Sequence, residues 1–404
     1  MKSNWLMLTI GDVCTLITDG AHNSPKSVKN GYPMVSVKDF SDYGFNFSNC
    51  KQISKDDYAK LSKQGCVPKK GDILVGKDGA RYFQDIIVYC QDEEPALLSS
   101  IAILRPNSNV ITSKFLYYTL KSPLMIKNVR DNYGSGSAIP RIVLRDFKRM
   151  PLSIPQIEEQ NRITTLLSSI DSKIKLNSEI NNNLEQQAQT LFNSWFEDFI
   201  PFNGKTPSEW HTGHLEDIAK INTKSFNPAK NPNVMLEHYS IPAFDEKRYP
   251  VFELSDEIKS NKYILSPDSV LASKLNPDTK RVWRPICMTT NAVCSTEFIV
   301  FESLQSEYKD FLYSIIDSEK FSNWMRSHTT GSTNSRQRTT PAKTLEFEIV
   351  IPPENIIIDY CSLVTPIYNL ISENIKENQR LATLRDVLLP QLMSGELDVS
   401  NIEL

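Results

Sequence analysis

The stretch Gln156–Phe199, QIEEQNRITTLLSSIDSKIKLNSEINNNLEQQAQTLFNSWFEDF, contains neither glycine nor proline. Its apolar residues recur at Ile163, Leu166, Leu167, Ile170, Ile174, Ile180, Leu184 and Leu191, which is a helical period. At 1.5 Å per residue such a helix is about 60–65 Å long. One so long and so polar cannot bury itself in a single globule and needs a partner helix or a partner protein. A candidate lies further along the chain. Ile163, Ile170, Asn177, Leu184 and Leu191 share one heptad frame, and Tyr360, Ile367, Asn374, Leu381 and Leu388 repeat it (374 − 177 = 197). This second helix is expected over Pro353–Leu389, with Pro390 ending or kinking it. Each series carries one asparagine at its middle step, and a lone polar residue in an apolar seam is a register device. If the helices pair antiparallel about their centres, Asn177 and Asn374 are expected to lie near each other.

The repetition extends outward from the helices. Ser99–Leu191 returns in outline as Ser295–Leu388: Phe115-Leu116-Tyr117 matches Phe311-Leu312-Tyr313, and Ile154-Pro155 matches Ile351-Pro352. The period is far above the 20–50 residues of solenoid repeats, so a whole domain is duplicated, each copy followed by a long helix. Short β-branched and aromatic runs mark strands at Tyr32–Val37, Asp72–Val75, Ile86–Tyr89 and Ser100–Leu104, with a helix at Ser113–Lys121. Ser269–Ala272 and Glu297–Phe301 are their second-copy counterparts. The expected fold is α+β: two similar domains of short-strand mixed sheets with helices, separated by two long helices that form an antiparallel coiled coil with a pseudo-two-fold. Residues 1–155 form the first domain, 156–200 the central helix, 201–352 the second domain and 353–404 the C-terminal helix and tail.

Net charge is −3 and the sequence pI is about 6.1, so any nucleic-acid reading must rest on local basic patches. The seven cysteines are odd in number and none forms a C-x-x-C pair, which argues against a disulfide framework or a zinc ribbon and fits a reducing compartment. Without a long apolar run or a signal-peptide stretch, a cytoplasmic protein is expected.

Catalytic and metal-binding patterns are sparse. The five histidines are scattered, and His211-x-x-His214 lacks further ligands. No phosphate-cradling G-x-x-x-x-G-K-[ST] and no G-x-G-x-x-G before a helix occurs. Pro267-Asp268 followed by Asp278-Thr279-Lys280 resembles the loose signature of metal-dependent nucleases. The matching first-copy stretch, Lys70-Gly71-Asp72-Ile73-Leu74-Val75-Gly76-Lys77, has no such arrangement, which favours a turn before a strand.

The basic stretches are more informative. Pro95–Arg130 holds no acid but carries Arg105, Lys114, Lys121, Lys127 and Arg130. Lys320–Leu345 again holds no acid and carries Lys320, Arg326, Arg336, Arg338 and Lys343. A single such charge is ordinarily a solvated surface residue; the same clustering in both copies gives it weight. Arg, Lys, Ser and Thr suit phosphates, whereas Arg, Asn and Gln suit base edges. The candidate DNA contacts in the first copy are Lys77, Arg81, Tyr133, Ser135, Ser137 and Arg141. Those in the second are Lys274, Arg281, Thr330, Ser332, Asn334, Arg336, Gln337 and Arg338.

In combination these features resemble the specificity subunit of type I restriction-modification systems. The resemblance rests on Ile154-Pro155 with Glu158-Glu159-Gln160, on Ile351-Pro352, on Lys70-Gly71-Asp72-Ile73-Leu74, on Thr18-Asp19-Gly20-Ala21-His22, and on the tail Leu388–Leu397. It covers essentially the whole chain. The second copy departs from it at Pro353-Glu354-Asn355 and at Ser266-Pro267-Asp268-Ser269. The resemblance implies two target-recognition domains, each reading half of an asymmetric bipartite DNA site, with the paired helices as spacer and docking surface. It implies two methyltransferase subunits that bind S-adenosylmethionine, restriction subunits that use ATP and Mg, and neither catalysis nor a cofactor in this chain itself. A stand-alone DNA-binding or nuclease protein, and a coiled-coil scaffold that binds no DNA, are the rival readings.

Overall fold

The computed structural model describes residues 5–79, 81–134, 140–331 and 337–399. Two compact units divide it. The first runs through Ile174 and resumes at Arg380; the second is Lys175–Gln379. Both boundaries fall inside long helices, Ile157–Phe196 and Glu354–Met393. The C-terminal segment expected as one piece from 353 onward is thus shared between the units.

The first unit is built on a four-stranded antiparallel sheet ordered Cys14–Asp19, Ile101–Pro106, Ile73–Gly76, Ile86–Val88. The second unit repeats it as Ala219–Ile221, Phe298–Ser303, Ser269–Ser273, Val282–Trp283. The register is the same in both: Leu104 faces Ile73, and Phe301 faces Val270, each member shifted by 197 (301 − 104 and 270 − 73). The inner strands read as continuous apolar runs because a second layer covers their other face. In the first unit that layer includes a three-stranded sheet of Lys51–Ile53, Tyr32–Val35 and Ala96–Leu97. In the second it includes a five-stranded sheet, in which Val251–Leu254, Met235–Tyr239 and Ala292–Ser295 repeat those three strands and Lys262–Ile264 and Ser225–Phe226 are added.

The turn entering the inner strand shows how the copies diverged without losing the fold. Asp72 accepts the Lys69 amide at 2.8 Å and a two-pronged bond from Arg105 at 2.8 and 2.8 Å. At the same positions Ser269 accepts the Ser266 amide at 3.0 Å, and the Ser266 hydroxyl donates to Glu302 at 3.2 Å. The turn is kept, while an ion pair is exchanged for a hydroxyl and a carboxylate.

Each unit closes its core with the start of one long helix and the end of the other. In the first, Ile163 and Leu167 join Leu389, Leu392 and Met393 against Phe115 and Leu116. In the second, Tyr360 and Val364 join Ala188, Phe192 and Phe196 against Phe311 and Leu312. This burial carries the second helix through Pro390 to Met393, beyond the end expected at Leu389. A proline in the last turn removes one backbone bond, and the apolar contacts of Leu389, Leu392 and Met393 offset it.

Within the second unit the two helices run antiparallel, since Asn181 meets Asn374 and Phe192 meets Tyr360. Asn177 and Asn374 are buried, 1% and 9% exposed, but they do not bond to each other. Asn177 donates to Asn378 at 2.9 Å and to Glu377 at 2.7 Å, and Asn374 donates to Asn181 at 2.8 Å. The expected meeting takes the form of a crossed arrangement, in which each asparagine bonds to the residue one turn from the other. Asn181 and Asn378 are themselves repeat mates (378 − 181 = 197), so one bond repeats the other with the two helices exchanged. The seam also departs from the heptad list. Ile163, Ile170 and Tyr360 are buried, whereas Leu184, Leu191, Ile367, Leu381 and Leu388 are only half-buried. Asn181, Ala188, Phe192, Val364 and Ile371 take the inner positions instead. A straight helix drifts by about 20° per heptad, which rotates a strict seven-residue stripe out of the contact. Replacing Asn177 by alanine should lower stability by about 1–3 kcal/mol, because Glu377 and Asn378 lose a donor. Urea unfolding checks this, and an unchanged midpoint would count against the crossed pair.

Candidate nucleic-acid interface

In each unit a loop leaves the inner strand and is stitched to a second loop by the same backbone bonds. In the first, Lys77 N–H donates to Ser100 O (2.9 Å), Gly79 N–H to Pro140 O (3.0 Å) and Ile142 N–H to Lys77 O (3.0 Å). In the second, Lys274 N–H donates to Glu297 O, Asn276 N–H to Gln337 O and Thr339 N–H to Lys274 O, all at 3.0 Å. Every member is shifted by 197, as in 276 − 79 and 339 − 142. An antiparallel bridge completes each joint, Asp78 with Arg141 and Leu275 with Arg338. The turn needs a left-handed residue, supplied by Gly79 (φ +95°) and by Asn276 (φ +50°). Glycine and asparagine are the residues that tolerate that region best. The joints therefore carry candidate contacts on a backbone frame common to both copies.

The side chains on that frame differ. Lys77 is 7% exposed and lies between Asp19 (3.4 Å) and Asp78 (3.6 Å). Arg81 reaches Asp85 at 2.8 Å. Tyr133 caps the helix Pro123–Asn132 and packs half-buried on the first core. Arg141 is exposed and has no ion pair among the described residues. In the second unit Lys274 is half-buried and likewise unpaired among the described residues. Arg281 is held in a two-pronged contact with Asp245 at 2.6 and 2.9 Å. Arg338 makes the same kind of contact with Glu297 at 3.0 and 3.1 Å, and that carboxylate raises the guanidinium above its ordinary value. Thr330 is exposed, faces Arg338 across a two-residue ladder and donates to its carbonyl at 3.1 Å; Gln337 is half-buried. Ser135, Ser137, Ser332, Asn334 and Arg336 lie outside the described residues.

The acid-free stretches are not unopposed. Arg105 pairs with Asp72, Lys320 with Glu197 (3.5 Å), Arg326 with Glu319 (2.6 Å) and Lys343 with Glu346 (2.8 Å). Asp72 and Glu197 lie at the ends of another strand and another helix, whereas Glu319 and Glu346 flank the second stretch by one residue at each end.

The nuclease-like residues do not assemble. Lys280 pairs with Asp317 at 2.8 Å, and Asp268 accepts from Ser306 at 3.3 Å. His211 and His214 sit three apart on one strand, on opposite faces, and both are exposed. No group of three or more potential metal ligands occurs among the described residues. Sequence reasoning missed two polar sites in the second unit, one buried and one half-buried. His238 contacts Glu253 at 2.5 Å, yet burial holds its imidazole below the ordinary value. Lys309 donates to Pro267 O, and burial, followed by the nearby Arg284 guanidinium, brings its ammonium down to about 8. Their partners sit 15 and 42 residues away, so neither site leaves a local signal.

Two similar units, each with a polar loop joint on a common backbone frame, define a duplicated protein. Residues 2–186 match the family model described as "Type I restriction modification DNA specificity domain". The MjaIX specificity subunit of Methanocaldococcus jannaschii, a type I restriction enzyme component, is 28% identical over 316 residues, covering 72% of this chain and 71% of the relative. The HindI specificity subunit of Haemophilus influenzae is 24% identical over an alignment of 473, covering 98% of this chain and all of the relative. The crystal structure of a type I restriction-modification S subunit from M. genitalium superposes with a TM-score of 0.60 at 15% identity, over 97% of this chain and 96% of that one, and so shares the fold. Residues 2–186 thus match a type I restriction-modification DNA specificity domain, and the chain along its length is similar to the specificity subunits of type I restriction enzymes.

Proposed function

We propose that this chain reads an asymmetric bipartite DNA site, one half with each unit, and directs methyltransferase and restriction subunits to it. The carrying observation is the duplicated loop joint: one backbone frame, used twice, bearing different side chains. Unlike donors and acceptors on like frames select unlike base patterns. Partner docking falls to the long helices. Leu363 and Leu370, one heptad apart on Glu354–Met393, stay 47% and 48% exposed, which suits burial against another protein. Two methyltransferase subunits carrying S-adenosylmethionine, and restriction subunits carrying ATP and Mg, supply the chemistry; this chain binds no cofactor and contributes recognition alone. The assembly works in the cytoplasm, and no helix among the described residues is long and apolar enough to cross a membrane. Mapping methylated adenines in DNA from cells that express the chain with its methyltransferase tests the proposal. The expected motif has two different half-sites around a fixed gap; an inverted repeat would contradict the asymmetry, and no motif at all would refute the function.

A further inference from the structure

The two joints differ in a reciprocal way. Two cationic positions meet across each joint, through the bond from the Ile142 amide to Lys77 O and from the Thr339 amide to Lys274 O. One is Lys77 or its repeat mate Lys274; the other is Arg141 or its mate Arg338 (274 − 77 = 338 − 141 = 197). In the first joint the lysine is closed off: it is buried between Asp19 and Asp78, while Arg141 is exposed and unpaired among the described residues. In the second joint the arginine is closed off by both oxygens of Glu297, and Lys274 is the unpaired one. The residues responsible are also repeat mates. Glu297 stands where the first copy has Ser100, and Leu275 stands where it has Asp78. Relative to the first copy, the second thus gains a carboxylate beside the arginine and loses one beside the lysine, and the unpaired cation changes with them.

A cation whose donors are satisfied by a carboxylate neutralises no phosphate unless that pair breaks, and only a neutralised phosphate releases counterions. We propose that Arg141 is the DNA-contacting cation of the first joint and Lys274 that of the second, while Lys77 and Arg338 hold the joints together. Arg141 offers a planar fork suited to two-pronged contact with a phosphate, and Lys274 a point charge suited to the same group. The two heads then differ in the position as well as the chemistry of their contact. The inference rests on the DNA-reading function proposed above.

The test is a salt titration of full-length chain on duplex DNA carrying the methylated motif, between about 50 and 200 mM salt. Arg141→Gln and Lys274→Gln should each flatten the plot of log affinity against log salt by about 0.9, the loss of one phosphate-equivalent contact. Glu297→Gln, which removes the carboxylate from Arg338, should steepen it by a similar amount. The double variant Glu297→Gln with Arg338→Gln keeps the pair neutral and should leave the slope where it was. If the double variant flattens the slope as much as Lys274→Gln, or if Arg141→Gln leaves it unchanged, the assignment is overturned. A slope of zero for the unaltered chain would overturn the DNA function itself, and the assignment with it.

Discussion

Asp310→Ala should destabilise the second unit by about 3–5 kcal/mol, the loss expected when one partner of a buried ion pair is removed. The Asp310 side chain is 5% exposed and that of Arg284 14%. Arg284 donates to Asp310 at 2.6 and 3.2 Å, to Asn369 at 3.1 Å and to Ser372 at 3.4 Å. Thr365 donates to the same carboxylate at 2.7 Å. One carboxylate thus ties the loop at Arg284 to a short helix and to the long helix. Removing it strands a guanidinium that water cannot reach freely. The double variant Asp310→Ala with Arg284→Met should recover most of the loss, because an apolar pair leaves no orphan charge. Tryptophan fluorescence during urea unfolding reads this selectively: Trp195, Trp210, Trp283 and Trp324 lie in the second unit and Trp5 alone in the first. A single variant no worse than the double would show that the pair is solvated and contributes little. The first copy places Lys114 and Ser168 at the positions of Asp310 and Thr365, joined at 3.3 Å, so the helix-to-helix tie persists there without a buried carboxylate.

Much of this fold is legible in the chain because its determinants are local or periodic. The helix at Ser113–Lys121 has the bounds expected of it, since Thr112 caps it by accepting the Phe115 amide at 3.2 Å and its buried residues follow the helical period. The first long helix, expected at Gln156–Phe199, occupies Ile157–Phe196 because nothing inside it breaks the backbone ladder. What is not legible depends on contacts distant in sequence. Lys77 looks like a free cation until Asp19 arrives from another strand, and Arg338 looks free until Glu297 does. The crossed asparagines depend on the axial stagger of two helices, which a heptad frame leaves open by a turn. The duplicated joint is a middle case. Its constant shift of 197 is written in the sequence, but that the two loops are stitched together at that shift appears only in the backbone bonds.

Phe196→Ala should cost about 3–5 kcal/mol, whereas Phe196→Met should cost under about 1.5 kcal/mol. Phe196 is 8% exposed, with ring centroids 4.9 Å from Phe311, 4.9 Å from Tyr360 and 5.9 Å from Trp210. Truncation to alanine opens a cavity among rings that cannot all shift to fill it. Methionine is a reasoned replacement, because the repeat mate of Phe196 is Met393, which fills the same place against Phe115 and Leu116 in the first unit (393 − 196 = 197). The flexible thioether conforms to irregular gaps, so the second unit should accept the solution its own copy uses. The mutation separates two roles of the helix end. If the Phe196 cluster serves packing alone, the methionine variant keeps both the unfolding midpoint and the methylated DNA motif. If the methionine variant folds but changes the motif, the aromatic cluster also sets how the second unit presents its loops, and equivalence between the copies would end at the core.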